Sequence, residues 1–194
     1  MELECTFEKA LAETANIVGV LEGAGPLAQE TIVLGGHYDH IGRGEFGSRK
    51  PDAYEVHNGA DDNATGTAAV LELARRMTAR GQAPARRLVF VAFSGEEKGL
   101  VGSKFYVDHP LFPLSDTVAM LNFDMVGRLR NDELTVFGAR SAKEFDGFLD
   151  RSSGEAALKL KKDDRTLAMG DHFAFYQRGI PARHFFTGGM MPAD

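Results

Sequence analysis

Thr-Ile-Val-Leu-Gly-Gly-His-Tyr-Asp-His, residues 31–40, runs a short apolar stretch straight into a cluster of glycine, histidine and aspartate. Thr31 to Leu34 does not alternate with polar residues, which is the strand type found at the centre of a sheet covered on both faces. Residues 41–58 are rich in Gly, Arg, Lys, Ser and Pro, show no periodicity and read as a loop. Beyond them Asn-Gly-Ala-Asp-Asp-Asn-Ala-Thr-Gly, residues 58–66, opens a helix. Ala69, Val70, Leu73, Ala74 and Met77 recur at helical spacing between Ala64 and Arg80, and Gly81 stands where a helix stops. Histidine and carboxylate packed this densely, at the end of one element and the start of another, suggest a metal site.

The same strand-then-helix pattern continues outward. Residues 3–7 alternate as an edge strand would, and Ala15 to Leu21 is a second strand. Glu22 to Pro26 reads as a turn and is expected to close a hairpin. Gly23-x-Gly25 has the look of a dinucleotide fingerprint, but Pro26 follows at once and no amphipathic helix begins there. Arg87 to Phe93 is the strongest strand, and it ends at Ser94-Gly95-Glu96-Glu97 ahead of a short helix from Leu100 to Val107. Thr117 to Phe123 is another buried strand, ending at Asp124. Strands at Leu134 to Phe137, Leu158 to Leu160 and Pro181 to Phe186, with helices at Ala142 to Arg151 and Asp171 to Arg178, complete the reading. Strands alternating with helices predict one α/β domain over residues 1–194, with a largely parallel sheet and an antiparallel N-terminal edge. No repeat, linker or low-complexity segment interrupts it.

Composition narrows the function. The 194 residues include 43% hydrophobic and 26% charged positions, ordinary for a soluble domain with a real core. A net charge of −6 without a basic stripe disfavours nucleic acid as a partner. Cys5 is the single cysteine, so there is no internal disulfide and no thiolate metal cluster. No apolar run approaches the roughly 18 residues needed to span a bilayer. The charged N-terminus is not a signal peptide, and Met1 is expected to open a piece of a longer protein.

His37, Glu96, Glu97 and Asp124 all fall just past the carboxyl ends of predicted central strands, where open α/β sheets bind their ligands. Asp61 and Asp62 open the helix that follows such a strand. Taken singly, each has a duller reading: His37 as a hydrogen-bonded structural residue, Asp61 or Asp62 as a helix N-cap, Glu96-Glu97 as a solvated pair, Asp124 as a turn residue. Their convergence argues against four coincidences. A shell of nitrogen and oxygen donors without thiolate suits zinc, and less securely manganese or cobalt. Carboxylates outnumber histidines, so one cation would leave buried negative charge, whereas two ions about 3.5–4 Å apart would balance it.

Four ordered motifs make this chain similar to the co-catalytic zinc aminopeptidases, whose relatives include glutamate carboxypeptidase II and the glutaminyl cyclases. They are His-x-Asp at 37–39, Gly-Ala-Asp-Asp-Asn-Ala-Thr-Gly at 59–66, Phe-Ser-Gly-Glu-Glu-Lys-Gly-Leu-Val-Gly-Ser at 93–103 and Asn-Phe-Asp-Met-Val-Gly at 122–127. The resemblance covers about residues 16–187 and implies a three-layer sandwich of the phosphorylase/hydrolase-like zinc exopeptidase type. It implies peptide substrates and two zinc ions per complete site. His37 and Asp124 would hold one, Glu97 the other, and Asp62 would bridge them, fixed by Asn63 across a peptide bond that is often cis. Glu96 would be the general base, taking a proton from the attacking water and passing it to the leaving amine. Asp39 would accept the second ring N–H of His37 and fix its tautomer. The resemblance further suggests a secreted or periplasmic setting.

His40 and His57 are expected to line the site without a catalytic role, and His184 to lie in the core. Asp171-His172 resembles a family segment beside the substrate pocket. One feature of the family is missing: its fifth ligand is a histidine in a Tyr-His segment after the last strand, and the chain stops at Asp194 first. The expectation is truncation, one incomplete metal site, weak or absent activity, and an uncovered apolar sheet face through which copies can associate. His172 could stand in only with unusual geometry. The alternatives are a glutaminyl cyclase or carboxypeptidase of the same fold, or a non-catalytic homologue. The Asp-Asp-Asn and Glu-Glu-Lys-Gly segments favour the two-metal peptidases over the single-zinc cyclases. Calorimetric titration with zinc is expected to give one tight and one weaker event, and two equally tight events would contradict it.

Overall fold

Successive side chains of a strand leave on opposite faces of its sheet, and here that parity builds two cores. The computed structural model describes residues 11–44, 47–138 and 143–187. Its strands are β1 (Ile17–Leu21), β2 (Thr31–His37), β3 (Arg87–Phe93), β4 (Thr117–Phe123), β5 (Glu133–Phe137), β6 (Lys159–Asp163) and β7 (Ala182–Phe186). Its helices are α1 (Gly66–Ala79), α2 (Val101–Asp108), α3 (Lys143–Ala156) and α4 (His172–Tyr176). Val33, Val89, Val91, Phe93, Met120 and Ala182 point to one face, where Tyr106 and Val107 of α2 and Ala174 and Phe175 of α4 cover them. Leu34, Leu88 and Phe90 point to the other, against Val70, Leu73, Ala74 and Met77 of α1. Helices on both faces of one sheet make the expected three-layer α/β arrangement.

The sheet runs β1-β3-β2-β4-β7-β5-β6. Its central strands β3, β2, β4 and β7 are parallel, with β1 antiparallel at one edge. At the other side β5 runs antiparallel to β7 and parallel to β6. The sheet is therefore mostly parallel, as the sequence predicts.

One expectation fails. The turn at 22–26 does not close a hairpin, because β3 lies between β1 and β2. β3 is buried almost throughout and takes the interior position, while Ile17 of β1 is 62% exposed, which suits an edge. The 22–30 connection instead crosses the start of β3: Ala24 N–H donates to Pro84 O at 2.8 Å, and Arg87 N–H to Glu30 O at 2.9 Å. Gly23 permits the crossing, since a Cβ there would stand 2.7 Å from the Arg86 carbonyl carbon. Buried Arg87 completes the junction, with its Nε 3.0 Å from Glu22 Oε2 and its guanidinium 3.7 Å above the Phe112 ring.

The strand expected at residues 3–7 and the single cysteine lie outside the described residues. Elsewhere the boundaries shift by a few residues: β2 extends to His37, β6 to Asp163, and α4 is shorter than its pattern. No helix among the described residues is long and apolar enough to cross a membrane.

Phe175 has no exposed surface and packs against Phe93 and Tyr106, with ring centroids 6.1 and 5.7 Å away. Phe175→Ala is expected to cost about 3–5 kcal/mol of stability by urea denaturation, and Phe148→Ala, at a 57% exposed position, less than about 0.5 kcal/mol.

Candidate metal centre

Parallel pairing sets strand ends side by side. His37, the last residue of β2, is in register with Phe93 at the end of β3, and Gly35 with Asn122 near the end of β4. One to four residues later the chain presents Asp124 on one side and Glu96-Glu97 on the other. The fourth contribution comes from a kinked turn, Ala60–Thr65, non-helical at Asp62 and Asn63, that leads into α1. Asn63 fastens this turn to the end of β4. Its Nδ2 donates to Phe123 O at 3.0 Å, and its Oδ1 accepts N–H bonds from Gly66 at 2.9 Å and Met125 at 3.2 Å. Gly66 is required there, since a Cβ would fall 2.1 Å from Phe123 O. The Asp62–Asn63 peptide is cis.

These supports bring His37, Asp62, Glu96 and Asp124 to one point. His37 is buried, and its Nε2 lies 3.3 Å from Asp62 Oδ1, 3.5 Å from Asp124 Oδ1 and 3.9 Å from Glu96 Oε2. For metal bonds of 2.0–2.1 Å, a tetrahedral ion holds its donor atoms about 3.3–3.4 Å apart. The first two spacings match that figure. Asp124 Oδ1 is moreover buried without a hydrogen-bond partner, as a ligand atom awaiting a cation would be. A second group, His40, Asp62 and Glu97, has one donor atom from each residue within 4.8 Å of the others. Asp62 belongs to both groups.

Asp39 acts differently from its expected role. His37 Nδ1 donates to the backbone carbonyl of Asp39 at 2.9 Å, while the carboxylate oxygen is 3.7 Å away. Because a carbonyl only accepts, Nδ1 carries the hydrogen and Nε2 faces the carboxylates. The Asp39 carboxylate is used elsewhere: Oδ1 accepts the Glu96 N–H at 3.1 Å and Oδ2 the Glu97 N–H at 3.3 Å. A two-residue spacing shows that Asp39 meets His37, but not which of its oxygens does so.

Asp61, the second residue of the Ala60–Thr65 turn, is not its N-cap, a place taken by Gly59. Its Oδ1 accepts the Gly127 N–H at 2.9 Å, and its Oδ2 pairs with Arg128 Nε at 3.0 Å, so it ties down the segment after Asp124. His184 is core, hydrogen-bonded through Nδ1 to Asn122 at 3.0 Å and stacked on buried His172. His57 bonds Ser48 Oγ at 3.1 Å. His40 is the residue that the sequence reading undervalued: its Nδ1 stands 2.6 Å from Glu97 Oε1. The two histidines flanking Tyr38-Asp39 are visible in the sequence, but nothing there shows that the second meets a glutamate 57 positions away.

A family model described as peptidase family M28 matches residues 16–192. Leupeptin-inactivating enzyme 1 of Streptomyces exfoliatus is 28% identical over 190 residues, covering 94% of this chain and 38% of its own length. Aminopeptidase YwaD of Bacillus subtilis is 30% identical over 182 residues, covering 89% of this chain and 35% of its own. The chain thus spans little more than a third of either relative. A solved zinc aminopeptidase from Bacillus subtilis superposes with a TM-score of 0.71 at 24% identity, over 92% of this chain and 41% of that one, a likeness of fold.

Electrostatics at the site are those of too many carboxylates around one imidazole. Burial opposes a charge on His37, but Asp124 and Asp62 facing its ring outweigh burial, and its pKa is pushed up to about 12. Burial raises Glu96 to about 8, with Asp171 and Asp124 adding repulsion against the attraction of His37. Burial likewise raises Glu97 and Asp124, while His37 lowers Asp62. Buried Asp171 rises to about 7, and buried His172 falls to about 4.

These shifts fix how stability depends on pH. A group whose pKa is raised in the folded state holds its proton after the unfolded chain has lost it, so stability falls with rising pH between the two values. Glu96 acts this way from 4.5 to about 8, and His37 from 6.5 to about 12. His172 acts oppositely, but only between about 4 and 6.5. Metal-free protein is therefore expected to lose thermal stability from pH 6.5 to 8, and saturating zinc, by replacing those protons, to remove the slope. Scanning calorimetry with and without chelator checks this, and a flat or rising metal-free profile would contradict it.

Proposed function

The chain belongs to peptidase family M28, and from that membership we propose that it carries the catalytic centre of a zinc-dependent aminopeptidase, which removes N-terminal residues from peptides. One observation carries the reading: His37, Asp62 and Asp124, from two strand ends and the turn before α1, meet at the spacing of zinc ligands, with the Glu96 carboxylate 3.9 Å from His37 Nε2. In this reading His37 and Asp124 would hold one ion and Glu97 a second, with Asp62 within reach of both. The all-nitrogen-and-oxygen donor set suits zinc, and two cations would balance carboxylates that one leaves in excess.

When bound, the ions supply Lewis-acid activation of a water and of the scissile carbonyl. The chain's own groups do the rest. The carbonyl of Asp39 fixes the His37 tautomer, and the Asp39 carboxylate holds the backbone N–H groups of Glu96 and Glu97, aiming both side chains from one turn. Glu96 accepts a proton from the attacking water and delivers it to the leaving amine. Burial favours the protonated form of Glu96 in the metal-free protein, and a neighbouring cation would keep it ionised and ready to accept the proton. Asp61, paired with Arg128, keeps the segment behind Asp124 in place.

Glu96→Gln preserves size and hydrogen bonding but removes the base. Assayed with zinc on aminoacyl-nitroanilides, it is expected to lower kcat by about 10²–10⁴-fold with zinc content unchanged. A zinc-loaded wild type that leaves every free-amine substrate intact, while cleaving blocked peptides or cyclising N-terminal glutamine, would overturn the reading.

A further inference from the structure

His40 is drawn to the centre, yet its spacing is not that of a ligand. Around His37 the donor atoms stand 3.3 and 3.5 Å apart, as two ligands of one ion do, whereas His40 Nδ1 is 2.6 Å from Glu97 Oε1, the separation of a charge-assisted hydrogen bond. The bond occupies Oε1 and leaves Oε2 to face a cation. The ring is also wedged in place. Its Cγ lies 2.9 Å from where a Cβ on Gly59 would stand, and the edge of His57 approaches with ring centroids 6.4 Å apart. Gly59 directly precedes the turn that carries Asp62. His40 therefore packs against one candidate ligand's support and bonds the other candidate ligand directly.

We propose that His40 is a positioning residue for the second metal ion: by donating Nδ1–H to Glu97 it holds that carboxylate in the rotamer that reaches an ion shared with Asp62. The inference rests on the reading of Glu97 as a ligand given above. Asp39 fixes the Glu97 backbone through its N–H, and His40 fixes the side chain, so both ends of a residue with three free rotors are held before any ion arrives. A carboxylate ordered in advance loses less freedom on binding, and outer hydrogen bonds of this kind are worth about 10–100-fold in metal affinity.

Calorimetric titration of the metal-free protein with zinc, for the wild type, His40→Phe and His40→Gln, tests this. Phenylalanine fills the space of the ring but cannot donate, whereas the glutamine amide can. The weaker zinc event is expected to weaken about 10–100-fold in His40→Phe and to recover most of that loss in His40→Gln. The tighter event should stay unchanged in both, which also reports that both variants are folded. A His40→Phe titration matching the wild type would overturn the inference. So would a His40→Gln loss as large as that of His40→Phe, since the ring nitrogen would then be a direct ligand. A wild type that takes up no zinc at all fails differently, because it removes the metal reading itself.

Discussion

Parallel pairing of β2 with β3 on one side and β4 on the other is the constraint from which the site follows. Each strand is apolar through its middle and turns polar toward its carboxyl end or just after it, so registering the apolar runs also registers the polar residues that follow. The two hydrophobic cores that hold this register are built on alternate side chains of β2, β3 and β4, with α2 and α4 on one face and α1 on the other. α1 does a second job. Its first turn is pinned to the end of β4 by Asn63, and Gly66 lets it approach closely enough to deliver Asp62.

What accumulates at that edge is negative charge. Asp39, Asp62, Glu96, Glu97 and Asp124 surround His37, which burial alone would keep neutral and which its neighbours instead drive toward the protonated form. His37 and Asp124 are buried and the other carboxylates partly so, and a divalent cation would balance that charge better than a proton on the imidazole does. The hydrogen-bond scheme is organised for that exchange. Asp39 spends its carbonyl on His37 and its carboxylate on the backbone of the Glu96-Glu97 turn, which leaves His37 Nε2 to face Glu96, while Glu97 turns to His40.

Much of this was legible in the sequence. Unbroken apolar runs such as Arg87 to Phe93 read as central strands, and helical spacing from Ala64 to Arg80 read as a helix, because burial on both faces and on one face leave different patterns. The positions of His37, Glu96, Glu97 and Asp124 followed from their strands. What the sequence hid were choices between near neighbours in space. Strand order was one: nothing in Glu22 to Pro26 says that β3 will lie between β1 and β2, since that outcome reflects competition among strands for the interior. The use of Asp39 was another, because backbone and side-chain oxygens of one residue sit equally near His37 in sequence. The contact of His40 with Glu97 joins two loops, and no local pattern records it.

His37, Asp62 and Asp124 are proposed to enclose a cation. Diffraction from crystals grown with zinc, measured on both sides of the zinc absorption edge, tests it most directly. An anomalous peak is expected about 2.0–2.2 Å from His37 Nε2 and from one oxygen each of Asp62 and Asp124. A zinc-saturated crystal without a peak at that point, with His37 Nε2 still 3.3 and 3.5 Å from the two carboxylates, would contradict it.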